Sequence, residues 1–309
     1  MENHRLRVFR EVVAHMSFRK AAEVLRLSQP AVSQQIRALE EECGERLFDR
    51  EGNQILLTAA GRVLHGYAVS AAQLMEAART ALASLNGVVS GDLRLGASTT
   101  IAQYILPRVL GAFNRQHPQV HLSLLSGNTE QVVELVLSEK VAMGIIEGPA
   151  MRRGLSIEPL MRDRMVLICG AKHRLAGPKS WVADVATTIS IASLAKLPLL
   201  LRERGSGSRR VVERAIKLAG LPFKSLRIAM ELDSTEAIVS GVEAGLGVGF
   251  VSESAITKEL RLGTLNVLNV EGISIERDFS LIYRAGQEPV GQAAAFRRFA
   301  EFELSSRSR

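Results

Sequence analysis

Two groups of polar residues in this 309-residue chain have the types and spacing to recognise other molecules. Gln29, Ser33, Gln34 and Arg37 share one side of the segment that follows Ser28, if that segment is helical. Amides and guanidinium groups read base edges in the DNA major groove, and hydroxyls contact bases or phosphate. Arg19 and Lys20, slightly earlier, suit the sugar-phosphate backbone. The second group is dispersed: Ser98-Thr99-Thr100, Gly127-Asn128-Thr129, Glu147-Gly148, the run from Arg202 to Arg209 that includes Ser206, and Ser234-Thr235. Taken singly, each Ser, Thr or Asn reads as a helix cap. Converging on one cleft, they read as a site for a small polar ligand. Arg202 and several helix N-termini favour an anion. Glu147 opposes a highly charged one unless an arginine pairs with it.

Catalytic and cofactor chemistry find no such support. Gly245-Leu-Gly247-Val-Gly249 lacks the final spacing of a dinucleotide motif and runs from helix into strand, the reverse of what a pyrophosphate needs. Gly205-Ser-Gly207-Ser is not followed by the Lys-Ser/Thr of a phosphate loop, and no GxSxG elbow occurs. His117 and His121 are separated by Pro118, so no helix aligns them on a metal. Neither a cofactor nor a metal is expected, and the chain does not read as an enzyme. Cys43 and Cys169 form no CxxC pair and suggest a reducing compartment, where a buried cysteine is a small hydrophobe.

The positioning elements follow from periodicity. Leu6, Val8, Phe9, Val12, Val13 and Met16 predict a helix over 4–15. Ser17 caps a second over Phe18–Leu25, and Ser28 caps a third, with Pro30 in its first turn, running to about Glu42. A turn at Gly52-Asn53 and the strand Ile55-Leu56-Leu57 read as a wing. Thr58 caps a long helix from Ala59 to about Leu85. In it Leu64, Ala71, Ala78 and Leu85, with Tyr67, Leu74 and Ala81, form the heptad seam of a two-stranded coil. The alternative is a helix packed on its own domain. Asn86-Gly87 and Ser90-Gly91 form a hinge, after which strands and helices alternate, the pattern of α/β structure with mostly parallel strands. Strands are expected at 93–97, 120–125, 142–146, 165–169, 199–201, 226–232, 248–251, 265–270 and 279–283. Helices are expected over 105–115, 129–138, 208–219, 235–244 and 292–302.

Charge supports DNA only locally. The chain carries net +7, with 11 Lys/Arg against 10 Asp/Glu in residues 1–90. Residues 15–39 nevertheless hold four basic residues and one acidic, so the expected contact surface is positive. Met1–Arg10 does not read as a signal peptide, and Ile189–Leu201 is too short and too polar to span a bilayer. A cytoplasmic protein without membrane contact is expected.

Ser17-Phe-Arg-Lys-Ala-Ala-Glu-Val-Leu, Leu27-Ser-Gln-Pro-Ala-Val-Ser-Gln-Gln-Ile-Arg-Ala-Leu-Glu, Leu47-Phe-Asp-Arg and Leu57-Thr-Ala-Ala-Gly closely resemble the winged helix-turn-helix of the LysR family. The resemblance implies a DNA-binding domain over 1–58, in which Arg19, Lys20, Ser28, Gln29, Pro30, Ser33, Gln34 and Arg37 contact DNA. A linker and dimerisation helix follows over 59–90, then a two-lobed sensor over 91–309, similar to periplasmic solute-binding proteins. Lobe I covers about 91–162 and 266–309, and lobe II 163–265. The wing, Glu51-Gly-Asn-Gln, departs by lacking the basic residue often found there. The implied partners are double-stranded promoter DNA with an A/T-containing inverted repeat, a small effector, further copies as a homodimer or homotetramer, and RNA polymerase. Ser98, Thr99, Thr100, Asn128, Glu147, Arg202, Ser206 and Ser234 are the expected effector ligands. The motifs of the sensor look most like the branch controlling sulfite and sulfur-assimilation genes, which points to sulfite or another oxyanion. They are also similar to regulators of carbon-fixation genes, which share the Gly-Ser-Gly loop. A solute-binding protein without DNA function is the competing account.

Overall fold

A computed structural model describes residues 3–51, 54–84, 89–150, 152–176 and 187–305. The chain divides into two compact units, 1–87 and 88–309. In the first, α1 (His4–His15), α2 (Phe18–Leu25) and α3 (Gln29–Cys43) enclose a core of Val8, Phe9, Val12, Ala21, Val32, Ile36 and Leu39. Ser17 Oγ accepts the Lys20 N–H at 3.2 Å, and Ser28 Oγ accepts that of Ala31 at 3.3 Å, so each cap begins its helix where the sequence places it. Arg26 turns the chain between α2 and α3 in the left-handed conformation, φ 55°.

Strands β1 (Phe48–Glu51) and β2 (Gln54–Leu57) pair antiparallel as the wing. The expected turn at Gly52-Asn53 lies outside the described residues. Phe48 anchors the hairpin with its ring edge-on to Phe9 and Phe18. Helix α4 (Ala59–Ser84) is capped by Thr58, whose Oγ1 accepts the Gly61 N–H at 2.9 Å and donates to Arg46 O at 2.6 Å. Gly61 is required here: a Cβ would stand 2.2 Å from Leu47 O. The expected seam member Leu85, with Asn86-Gly87, also falls outside the described residues.

The second unit is built on one continuous sheet. In chain order it contains β3 (Gly91–Ser98), a π-helical turn over Ile101–Ile105, α5 (Leu106–Gln116), β4 (Val120–Gly127), α6 (Thr129–Leu137) and β5 (Met143–Glu147). Then come β6 (Leu155–Gly170), β7 (Thr187–Ile189), α7 (Ile191–Leu194), β8 (Pro198–Arg202), α8 (Gly207–Leu218) and β9 (Arg227–Leu232). The last elements are α9 (Thr235–Glu243), β10 (Val248–Ser252), α10 (Thr257–Leu262), β11 (Leu265–Val270), β12 (Ile275–Arg284) and α11 (Gly291–Ser305). The spatial order β4-β3-β5-β12-β6-β10-β8-β9 places a parallel trio at each end. The antiparallel strands β12 and β6 join the trios, making two lobes with separate cores.

Two expectations are corrected. Only Met165–Cys169 and Phe279–Tyr283 are expected as strands here, yet β6 begins at Leu155 and β12 at Ile275. Their charged residues, among them Glu158, Asp163, Arg164 and Arg277, break the apolar run that marks a buried strand, while long mutual pairing keeps them extended. The division at residue 266 also shifts. β11 pairs with Leu167–Gly170 of β6 and with β7, and Leu268 and Val270 belong to the second lobe's core. The chain returns to the first lobe along β12, because β11 has its hydrogen-bond partners and its apolar neighbours in the second.

Candidate functional site

On α3, Val32, Ile36 and Leu39 face the core, which leaves Gln29, Pro30, Gln34 and Arg37 exposed and Ser33 half-buried. Among the described residues, Gln29, Gln34 and Arg37 form no side-chain hydrogen bond or ion pair, so their donors and acceptors are available to base edges. Ser28 Oγ is committed to its cap. Arg19 and Lys20 are exposed at the start of α2, with Arg19 Nε 3.8 Å from Glu23 in a weak surface pair. The acidic end of α3 has its own structural use: Glu40 accepts the backbone N–H groups of Leu47 and Phe48, and Glu42 pairs with Arg5 at 2.8 Å. These contacts hold the wing and α1.

In the second unit the dispersed polar residues do converge where the lobes meet. Thr100 and Thr235 hydroxyls are 2.8 Å apart across the junction. Arg202, at the end of β8, donates from Nη2 to Thr99 Oγ1 at 3.1 Å and from Nη1 to Thr235 Oγ1 at 3.3 Å. The Thr129 hydroxyl donates to Glu147 O and accepts the Gly207 N–H, with Ser98 Oγ 3.5 Å away. Gly207 admits no side chain, since a Cβ would meet Glu147 O at 1.7 Å. Ser98, Thr100, Glu147 and Arg202 are all buried, and Thr99 is half-buried.

Asn128, Ser206 and Ser234 reach this junction in a different way from the one expected. Their side-chain oxygens accept the N–H groups of Gln131, Arg209 and Ala237, so each caps its own helix and offers a ligand only the helix end behind it. Sequence reasoning missed the residues beneath. Arg277 donates to Asp163 at 2.7 Å and to Ser208 at 2.8 Å, Ser208 donates to Glu147 at 2.7 Å, and Ser252 donates to Asp163 at 2.6 Å. Burial pushes the Asp163 carboxyl above its ordinary value, although Arg277 and the Ser252 hydroxyl pull it down. Glu147 Oε2 lies 3.3 Å from Arg277 Nη2, off hydrogen-bond alignment, and neither atom has another hydrogen-bond partner. Glu147 is thereby the arginine-paired carboxylate that the sequence allows. The one signal in the sequence was an unusual density of charge in β6 and β12.

The lobes also meet on two flanks. Tyr104, in the π-helical turn, donates to Glu236 of α9, and Arg210 of α8 pairs with Glu130 of α6 at 2.9 Å. Burial first, and then Glu236, raise the Tyr104 hydroxyl above its ordinary value. Among the described residues no His, Cys, Asp or Glu cluster could hold a metal, and no helix is long and apolar enough to cross a membrane.

A winged helix-turn-helix with an exposed reading helix, followed by a two-lobed polar junction, defines a ligand-responsive DNA-binding regulator. Residues 4–62 match the model of the bacterial regulatory helix-turn-helix protein of the lysR family, and residues 86–304 match the LysR substrate binding domain. The chain belongs to the LysR family of transcriptional regulators. It is thus a regulator and not an enzyme, and members of this family bind promoter DNA and a small effector and oligomerise. It is 37% identical to the RuBisCO operon transcriptional regulator of Allochromatium vinosum, over 97% of this chain and 95% of that one. Its fold is similar to the regulatory domain of CcmR of Synechocystis PCC6803, in complex with 2-PG, with TM-score 0.62 and 26% identity over 70% of this chain and 98% of that one. Full-length CbnR complexed with its target DNA has the same fold, TM-score 0.62 at 23% identity over the whole of both chains. The expected sulfite and sulfur-assimilation branch is corrected by these relatives, which are RuBisCO regulators matched over most of both chains.

Proposed function

We propose that this chain is a cytoplasmic regulator of carbon-fixation genes, the RuBisCO operon first among them. It binds promoter DNA through α3 of a symmetric dimer and takes a small anionic metabolite between the lobes of its sensor. The observation that carries this reading is the identity to the Allochromatium regulator along almost the entire length of both proteins. The anion is supported by Arg202, a buried guanidinium touching both lobes, and by the similar CcmR domain that carries 2-PG. In this reading Arg19, Lys20, Ser28 and Pro30 position the duplex, while Gln29, Ser33, Gln34 and Arg37 read it. Ser98, Thr99, Thr100, Glu147 and Arg202 line the effector site, and the helix ends capped by Asn128, Ser206 and Ser234 add backbone N–H groups. Residues 1–58 bind DNA, 59–90 connect and dimerise, and the remainder senses. Two dimers assemble as a tetramer on an A/T-containing inverted repeat, placed to contact RNA polymerase.

Footprinting on the promoter of the RuBisCO operon, with and without 2-PG, tests the assignment. Two protected half-sites a whole number of helical turns apart, with a pattern altered by 2-PG, are expected. Protection of other promoters but not this one defeats the gene assignment.

A further inference from the structure

The geometry points to Glu203 as an internal carboxylate that occupies Arg202 and that an anionic effector has to displace. This rests on the anion-site reading above and adds to it the residue that sets affinity and specificity. Arg202 is 4% exposed and directs five N–H donors in a rigid fork. One edge of that fork is taken by the adjacent residue: Nε donates to Glu203 Oε2 at 2.8 Å, and Nη2 to Glu203 Oε1 at 3.1 Å. Nη2 also reaches Thr99 Oγ1 and Asp233 O, both at 3.1 Å. Nη1 reaches Thr235 Oγ1 at 3.3 Å and stands 3.9 Å from Glu147 Oε1. No edge of the guanidinium is left for a two-oxygen anion.

The two acids beside Arg202 differ in their freedom to leave. The Glu147 side chain is 2% exposed and held by Ser208 and Arg277, so moving it would break contacts in a buried network where water cannot replace them. The Glu203 side chain is 24% exposed, and its backbone is tied by an N–H bond to Leu232 O at 3.0 Å. It can therefore swing into water without moving the chain. A carboxylate or phosphate that enters replaces one bidentate contact with another, so Arg202 stays compensated throughout. A neutral hydroxyl ligand offers no such exchange and is rejected by the same residue.

Calorimetry on the full-length protein, with 2-PG and separately with inorganic phosphate, tests this. Glu203→Gln removes the competing bidentate charge, and binding is expected to tighten about tenfold. Glu203→Asp keeps the charge beside the cleft but is one methylene too short for the fork, and it too is expected to tighten binding. Arg202→Lys removes the fork, so substitution at 203 should then have little effect. Equal affinity in the wild type and both 203 variants overturns the inference while leaving the anion site standing. Tightening by Glu203→Gln but not by Glu203→Asp also overturns it, because net charge alone would explain the change. Failure of both anions to bind any of these proteins defeats the anion-site reading itself, and the inference with it.

Discussion

Arg37 leaves the middle of α3 with an exposed guanidinium and no partner among the described residues, so its removal disturbs no internal contact. Arg37→Ala is expected to weaken binding to the cognate promoter by about 1–3 kcal/mol while leaving the melting temperature unchanged. Fluorescence anisotropy with the operator and with unrelated DNA checks this, and an equal loss on both would mean a phosphate contact, not a base contact. The two cysteines differ just as sharply. Cys169 is fully buried in the second lobe's core, and burial pushes its thiol up to about 11, whereas Cys43 is exposed at the end of α3. At pH 8 a thiol-specific chromogenic reagent should therefore label one cysteine per native chain and two after denaturation.

The helix α4 presents Val63, Tyr67, Leu74 and Leu82 to solvent within a single chain, with Tyr67 74% and Leu74 67% exposed. Such a stripe, interleaved with alanines, is the face that a second copy would cover. Leu74→Glu places a charge in the middle of the proposed seam. It should shift the protein toward monomer in sedimentation velocity without loss of helix content, and an unchanged dimer would place the interface elsewhere. At the other end of the helix, Thr58→Ala removes both the cap on Gly61 N–H and the bond to Arg46 O. About 1 kcal/mol of stability should go with it, measured by calorimetry as a lower transition for the first unit.

In the sensor as a whole, β6 and β12 carry the charges that join the lobes. Arg277 offsets both Asp163 and Glu147 from β12, and all three side chains are at most 2% exposed. Arg277→Met strands two buried carboxylates and should cost the sensor roughly 3–5 kcal/mol. The sign of the pH response follows from Asp163, whose folded carboxyl is raised. A raised acid holds its proton in the folded state as pH climbs past the ordinary carboxylate range, so stability falls through that window and the cost is complete above it. The deficit of Arg277→Met should accordingly grow as pH rises above the ordinary carboxylate range and shrink as pH falls back toward it, read as sensor melting temperature against pH. A deficit that does not depend on pH would mean that lost packing, not stranded charge, is the cause.

How far these features could be read in advance depended on their range. Ser17, Ser28 and Thr58 act on N–H groups three residues away, and Val32, Ile36 and Leu39 mark a buried face by spacing alone. The helix-turn-helix, its reading surface and the long helix were therefore written in neighbouring residues. The hydroxyl clusters after each strand were legible as a group for the same reason. What their side chains touch was not. Whether Asn128 caps a helix or faces a ligand, that β6 and β12 run through both lobes, and that Arg277 meets Asp163 across 114 positions are outcomes of tertiary pairing. Local periodicity carries no information about such partners, because a buried charge is tolerated only where distant chain segments bring its counter-charge into place.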